Sequence, residues 1–283
     1  MIIIESAGRF GNQLFQYAGV VSFSKARERV YLVGFHELSR YFGNAVNGKI
    51  RRLSLRNFHL LSRLPRKIMG LLMFGEVLLG NDGRSLLRKR GILPVFVWRA
   101  GYCQNEELID GTAILKLNES RPKLEMEPDK EVAQGQNRPR CFVHVRRGDY
   151  LRFPAESSPV VPLLWFRAQI VEIQRVFGSI EFLFFSDDDV WAKQHFSANP
   201  DFVFFSGTAE ESFAAMAECQ AGILSASTFS WWAAYLAAKT GADGPFIAPL
   251  HWMGWRSRTW YPRNIESQFL SYAPVSDGSP SDH

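Results

Sequence analysis

Only three cysteines occur in the 283 residues, Cys103, Cys141 and Cys219. They are odd in number and widely spaced, which excludes a disulfide framework and a cysteine metal site. No apolar stretch reaches the ~18 residues that a membrane span needs. The opening "MIIIESAGR" has no basic n-region and too short an apolar run for a secretory signal. A protein of the reducing cytoplasm is therefore expected. Internal repeats and low-complexity blocks are absent, apart from the short polar tail "SDGSPSDH". Acidic residues are scarce in one region: between residues 49 and 99 only Glu76 and Asp82 stand against a dense series of lysines and arginines. No nucleic-acid-binding motif accompanies that charge, so nucleic acid is not expected as a partner.

What is present is an ordinary globular composition, 46% hydrophobic and 22% charged, with an unusual supply of phenylalanine, 23 residues. Aromatics serve cores first and sugar-stacking walls second. The net charge of +5 is concentrated in residues 49–99. Amid that charge lies "IMGLLMFGEVLLG" (68–80), an apolar run too short to span a bilayer. It reads as a buried helix with a solvated basic rim. Alternatively, the region docks peripherally on an anionic membrane surface or a lipid-linked acceptor.

Two domains are expected. The segment "NESRPKLEMEPDKEVAQGQNRPR" (118–140) is polar, proline-bearing and poor in apolar residues, as linkers are. A boundary near residue 135 leaves an N-terminal domain over 1–135 and a C-terminal domain over 136–283. The first begins with the strand "IIIES", a glycine loop, a helix through about Arg29 and the strand "RVYLVG", then becomes irregular. The second alternates cleanly: "CFVHV", a helix over "PLLWFRAQIVEIQRVFG", "EFLFF", "DFVFF", a helix in "SGTAEESFAAMAEC", "AGILSA", and a helix over "STFSWWAAYLAAKTG". Short apolar runs alternating with helices imply a parallel α/β sheet.

Ligands bind such sheets beyond the carboxyl ends of the strands. Three strand ends of the second domain are polar: "RRGD" (146–149), "SDDD" (186–189) and "SASTFS" (225–230). Arg146 and Arg147 suit a diphosphate, because guanidinium is always charged and donates in a planar fork. One is expected to face the ligand while the other braces the loop through Asp149. His144, two residues before Arg146 on the same strand face, is either a core group or a ligand contact. The Asp187–Asp189 triplet fits nucleotide contact, metal coordination or helix capping. The hydroxyls of Ser225, Ser227, Thr228 and Ser230 stand at a helix N-terminus, where backbone donors and the dipole favour an anion; one alone would suffice as a cap. The opening loop "GRFGNQ" lacks the parts of a Walker loop and has Ser6 where a dinucleotide fingerprint needs glycine. Its Asn12 and Gln13 amides suit hydroxyl-rich ligands better than phosphates.

Taken together, "GRFGNQLFQYA", "HVRRGDYL", "FLFFSDD" with Trp191 following, and "STFSWWAAYL" make the chain resemble glycosyltransferase family 11, the α-1,2-fucosyltransferases. The resemblance spans about residues 1–240. It implies an α/β fold of GT-B type, with two Rossmann-like domains facing across a cleft and the donor held by the second. It further implies an inverting transfer of L-fucose from GDP-β-L-fucose to a galactoside hydroxyl, with no obligatory metal or other cofactor. By motif, Arg146 meets the donor β-phosphate, with Asp149 beside it as the candidate base. Arg147 and His144 join the donor site, Asp187 and Asp188 lie near the nucleoside, and Ser227, Thr228 and Ser230 lie near the phosphates. Gly11, Asn12 and Gln13 belong to a cleft loop touching acceptor or donor. The expected partners are GDP-fucose and an oligosaccharide or lipid-linked glycan. Where the family often opens with Gly-Gly-Leu-Gly-Asn-Gln, this chain has Arg9 and Phe10, a difference that bears on acceptor choice. A glycosyltransferase using another nucleotide-sugar, or a non-enzymatic carbohydrate- or lipid-surface-binding protein, is the alternative.

Overall fold

The computed structural model describes residues 1–42, 50–53, 74–119, 138–197 and 199–276. The chain forms two compact units, Met1–Lys123 and Leu124–His283. Both the expected boundary at 135 and most of the 118–140 linker lie outside the described residues.

The first unit is a six-stranded sheet of β1 (Ile2–Glu5), β2 (Val30–Val33), β3 (Ile50–Leu53), β4 (Gly75–Leu79), β5 (Leu86–Lys89) and β6 (Phe96–Trp98). Its order is β3-β2-β1-β6-β4-β5, parallel throughout except for the β4–β5 hairpin. Helices α1 (Phe10–Phe23), α2 (His36–Phe42) and α3 (Gly111–Glu119) accompany it. β1 buries Ile2 and Ile4 completely, as a central strand should. α1 buries Phe10, Leu14, Phe15, Tyr17 and Val20, and Phe10 stacks on Tyr41 of α2 at 3.6 Å between ring centroids.

Two expectations fail in this unit. The first helix stops at Phe23 rather than Arg29, because the Ser24 hydroxyl donates to the Val21 carbonyl and its backbone turns extended. Of the apolar run 68–80, residues 68–73 lie outside the described residues, and 75–79 are a strand instead of a helix. Burial there alternates along Gly75–Leu79, the period of a strand, and Gly75 faces the Phe96 ring too closely for any side chain. One arginine of the basic region is structural: Arg88 donates to both carboxylate oxygens of Glu28, at 2.8 and 2.5 Å. Its guanidinium also lies 4.7 and 4.9 Å from the Phe23 and Phe96 ring centroids. The hydrogen bonds from Arg88 hold the Glu28 carboxyl down to about 2.

The second unit comprises β7 (Arg140–Val145), α4 (Leu163–Phe177), β8 (Glu181–Ser186), α5 (Asp189–Phe196) and β9 (Phe202–Phe204). There follow α6 (Ala209–Ala217), β10 (Ala221–Leu224), α7 (Thr228–Lys239), β11 (Phe246–Pro249) and β12 (Leu270–Ala273). The sheet runs β12-β11-β10-β7-β8-β9 and is parallel at every step. Strands β7 to β9 thus wind outward one way and β10 to β12 the other, the doubly wound Rossmann order. β7 is buried from Cys141 to Val145, and Phe184 sits 4.7–5.1 Å from Phe196, Phe202 and Phe204. Each such side chain contributes about 1.5–3 kcal/mol on burial. Sequence signals set the helix ends: Thr208 and Glu211 form a capping box on α6, and α4 stops at Gly178, whose φ is +69°. β11 and β12 carry no pattern in the sequence and extend the sheet beyond the strands read there.

All three cysteines are free and buried, and burial pushes the Cys103 and Cys219 thiols up to about 12. No helix among the described residues is long and apolar enough to cross a membrane.

Candidate active site

The winding of the second sheet reverses between β7 and β10, so a crevice opens past their carboxyl ends, the usual ligand position in such sheets. The residues after β7 are Arg146 and Arg147; those after β10 begin with Ser225. The two ends are tied together by one hydroxyl. Ser225 Oγ donates to the His144 carbonyl at 2.9 Å and accepts from the Arg146 backbone N–H at 2.9 Å. Tyr150 adds a second tie, its hydroxyl donating to the Ala226 carbonyl at 2.7 Å. Neither Ser225 nor Tyr150 stood out in the sequence for this role.

Arg146 lies between two carboxylates. Its Nε and Nη2 donate to Asp149 Oδ1 at 3.0 and 2.6 Å, and Nε lies 3.0 Å from Asp187 Oδ2. The side chain is mostly buried, and the Tyr150 ring lies 5.5 Å below the guanidinium. Asp187 Oδ1 in turn accepts the backbone N–H groups of Arg147 and Gly148, at 2.8 and 3.1 Å. Gly148 is required by this approach: a Cβ there would lie 2.5 Å from Asp187 Oδ2. That need is invisible in "RRGD" alone, because Asp187 belongs to the neighbouring strand end.

Arg147 is buried and turned to the same neighbour. Its Nε donates to Asp188 Oδ2 at 3.3 Å, and its guanidinium stacks 4.0 Å over the Trp191 ring. Asp188 also caps α5, accepting from Trp191 N at 3.2 Å. The aspartate triplet therefore does two jobs, bracing the arginines and starting a helix. Among the described residues, no group of three or more His, Cys, Asp or Glu side chains converges to hold a metal.

His144 lies beneath this layer, 5.9 Å from the Phe229 ring. Its Nδ1 is buried without a hydrogen-bond partner. Burial, reinforced by the charge of Arg146, lowers its pKa to about 3, so the ring is neutral at physiological pH. At the third strand end, Ser227 caps α7 and Thr228 is half-exposed on its first turn. Ser230 is fully buried and donates to the Ser225 and Ser227 carbonyls at 3.4 and 3.1 Å. Its hydroxyl thus braces the turn from inside. Trp231 and Trp232 are wholly buried in packing.

In the first unit the winding reverses between β1 and β6. Gly11 and Gln13 are buried at the start of α1. Gln13 accepts from Leu38 N and donates to the Gly8 carbonyl, each at 3.2 Å. Asn12, half-exposed, accepts at Oδ1 from Gln104 Nε2 at 2.7 Å. Gln104 follows β6, a strand hidden in the irregular part of the sequence, and no motif marks it.

The second sheet has the Rossmann winding, the first keeps its 3-2-1 half beside a differently ordered second half, and the fold is α/β of GT-B type. Solved structures of POFUT1 in complex with GDP-fucose and of the fucosyltransferase NodZ from Bradyrhizobium share it, each with a TM-score of 0.51. The first is 14% identical and covers 87% of this chain and 97% of its own; the second is 13% identical and covers 82% and 92%. At such identity the likeness speaks to fold alone. Two relatives from Escherichia coli span nearly the full length. An O-antigen biosynthesis glycosyltransferase, WbnK, is 26% identical over 89% of this chain and 95% of its own. An alpha-1,2-colitosyltransferase is 28% identical over 89% and 92%. Galactoside alpha-(1,2)-fucosyltransferase 1 of Saimiri sciureus is 35% identical over 39% of this chain, but that match spans only 32% of the monkey enzyme. The family description that matches residues 126–255, from the linker through all three polar strand ends, is glycosyl transferase family 11. That match takes in just under half of the chain and lies wholly within the second unit.

Proposed function

We propose that this glycosyltransferase transfers L-fucose from GDP-β-L-fucose to a galactoside hydroxyl in α-1,2 linkage, with inversion. One observation carries the reading: a mostly buried guanidinium, Arg146, stands at the sheet's switch point between Asp149 and Asp187. A diphosphate entering there replaces the carboxylates as its partner. The α7 N-terminus, with Ser227 and Thr228, offers backbone donors to the same anion. Arg147, Asp188 and His144 complete the donor side, with Asp187 near the nucleoside.

In the reaction, the acceptor oxygen bonds to the anomeric carbon as the bond from that carbon to the diphosphate oxygen breaks. The electron pair leaves with GDP, and Arg146 stabilises the charge that develops on it. The hydroxyl proton needs an acceptor, and Asp149 is released for this task as Arg146 turns to the diphosphate. In the first unit Asn12 supplies the hydroxyl-binding group, and the buried Gly11 and Gln13 shape the loop that carries it. No step requires a metal, so EDTA should leave turnover unchanged.

Arg146→Ala should lower turnover by roughly a hundredfold or more, the cost of losing one preorganised donor to a leaving group, with the fold intact by circular dichroism. Turnover near the wild-type rate would overturn the assignment. The full-length likeness to an alpha-1,2-colitosyltransferase favours one second reading, a different deoxy-sugar donor. Mass spectrometry of products from a panel of GDP-sugars separates the two. Peripheral contact of the basic region with anionic lipid, which rests on charge alone, is tested by flotation with phosphatidylglycerol liposomes.

A further inference from the structure

Around Asn12 the first unit is built with unusual care. Gln16 ties the loop before α1, accepting from Ala7 N at 2.9 Å and donating to the Glu5 carbonyl at 3.3 Å. Gln13 pins Gly8 from the other side. Gly8 has φ +72°, and a Cβ there would lie 2.5 Å from Asn12 Nδ2. The Asn12 amide therefore occupies space that only glycine leaves. On the β6 side, Trp98 Nε1 donates to the Gly101 carbonyl at 3.2 Å. Cys103 adopts φ +55°, uncommon for a residue with a side chain, and the next residue is Gln104. Asn105 holds the far side, donating to the Gly83 carbonyl at 3.1 Å and accepting from Glu107 N at 2.9 Å.

All of this delivers one hydrogen bond, Gln104 Nε2 to Asn12 Oδ1. A lone asparagine amide has two orientations of similar energy, related by a flip; this bond selects the one with Oδ1 toward Gln104 Nε2. It leaves Asn12 Nδ2 as a donor and Gln104 Oε1 as an acceptor on the segments that follow β1 and β6. Neither atom is bonded to another described residue. A hydroxyl both donates and accepts, so it satisfies both atoms. A phosphate only accepts and would be repelled by Oε1.

We infer that Gln104 is a positioning residue for the Asn12 amide, and that the two amides together bind a sugar hydroxyl. This rests on the proposed sugar transfer and names the group in the first unit that recognises the sugar. The hydroxyl comes from the donor fucose or from the acceptor galactoside, and the test separates these sources.

The full chain, labelled with 15N-asparagine, is titrated with GDP, GDP-fucose and methyl β-galactoside while the Asn12 side-chain resonance is followed. That resonance is assigned by its loss in Asn12→Asp. GDP-fucose or the galactoside should shift it, according to the source, whereas GDP should not. Gln104→Met should abolish the shift and lower kcat/KM about tenfold, the worth of one hydrogen bond, with the dissociation constant for GDP unchanged. Gln104→Glu, which keeps size and Oε1 but has no N–H for Asn12, should do the same while remaining soluble and folded. In an Asn12→Ala background, Gln104→Met should add no further loss. Wild-type shift and kcat/KM in both Gln104 variants, or full additivity with Asn12→Ala, overturns the inference. If the wild type transfers no fucose, the proposed function fails separately. The titration still decides: a sugar-induced shift lost in Gln104→Met supports the pair, and no shift with any sugar overturns it.

Discussion

Replacing Gly148 with alanine tests the framework around Arg146 without touching a charged group. The new Cβ would lie 2.5 Å from Asp187 Oδ2 and 3.0 Å from its Cγ. Ordinary contact lies near 3.4 Å, so the carboxylate must retreat by roughly 1 Å. It cannot retreat at no cost. Oδ1 is held by two backbone N–H groups at 2.8 and 3.1 Å, and Oδ2 lies 3.0 Å from Arg146 Nε. A shift of that size takes the backbone bonds past the hydrogen-bond limit. Each bond to an ionised acceptor contributes about 1.5–3 kcal/mol, and water recovers part because Asp187 is 28% exposed. A net loss of about 2–3 kcal/mol follows, or a fall of about 5–10 °C in melting temperature for a unit of this size. Turnover should drop about tenfold as Arg146 loses its fixed partner. Differential scanning fluorimetry and a GDP-release assay measure the two effects. Gly178→Ala is the control, since Gly178 has φ +69° and nothing within 4 Å of an added Cβ. It should cost about 1 kcal/mol through backbone strain and leave turnover alone. A Gly148→Ala enzyme matching wild type in both measurements would refute the described hold on Asp187.

Arg147→Lys keeps the charge but loses the planar stack on Trp191, and should lower stability by about 1 kcal/mol in urea unfolding. An unchanged midpoint would mean that only the charge matters. His144 binds its proton below pH 6.5 in the unfolded chain but only below about 3 in the fold. The unfolded state therefore holds more protons in between. Stability is complete above pH 6.5 and is lost by up to about 1.4 kcal/mol per pH unit as pH falls toward 3. His144→Leu should flatten that slope between pH 6.5 and 4 in urea titrations, and equal slopes would contradict a buried neutral imidazole.

The sequence was most legible where chemistry interrupts hydrophobicity. Arg146, Asp187 and Ser225 each follow a short apolar run, so their place at the edge of a parallel sheet could be read before any partner was known. What joins them could not, because Asp187 meets Arg146 across about forty positions and through strand pairing. The same limit hid Gln104, whose meaning depends on β6 lying beside β1. β4 departs from its reading for a different reason: its five residues close a thirteen-residue apolar run, 68–80, whose length favours a helix over a strand. β11 ("FIAP") and β12 ("LSYA") are four residues each and become strands because β10 offers its edge to β11 and β11 in turn to β12.

The burial of every thiol has a practical consequence. A membrane-permeant thiol-alkylating probe finds no cysteine to modify on the native chain, since no thiol is exposed and none is ionised near neutral pH. Cys103 becomes reactive when the first unit opens, and Cys141 and Cys219 when the second does. Peptide-resolved mass spectrometry after brief trapping would then time the loosening of each half independently, using tags the protein already carries.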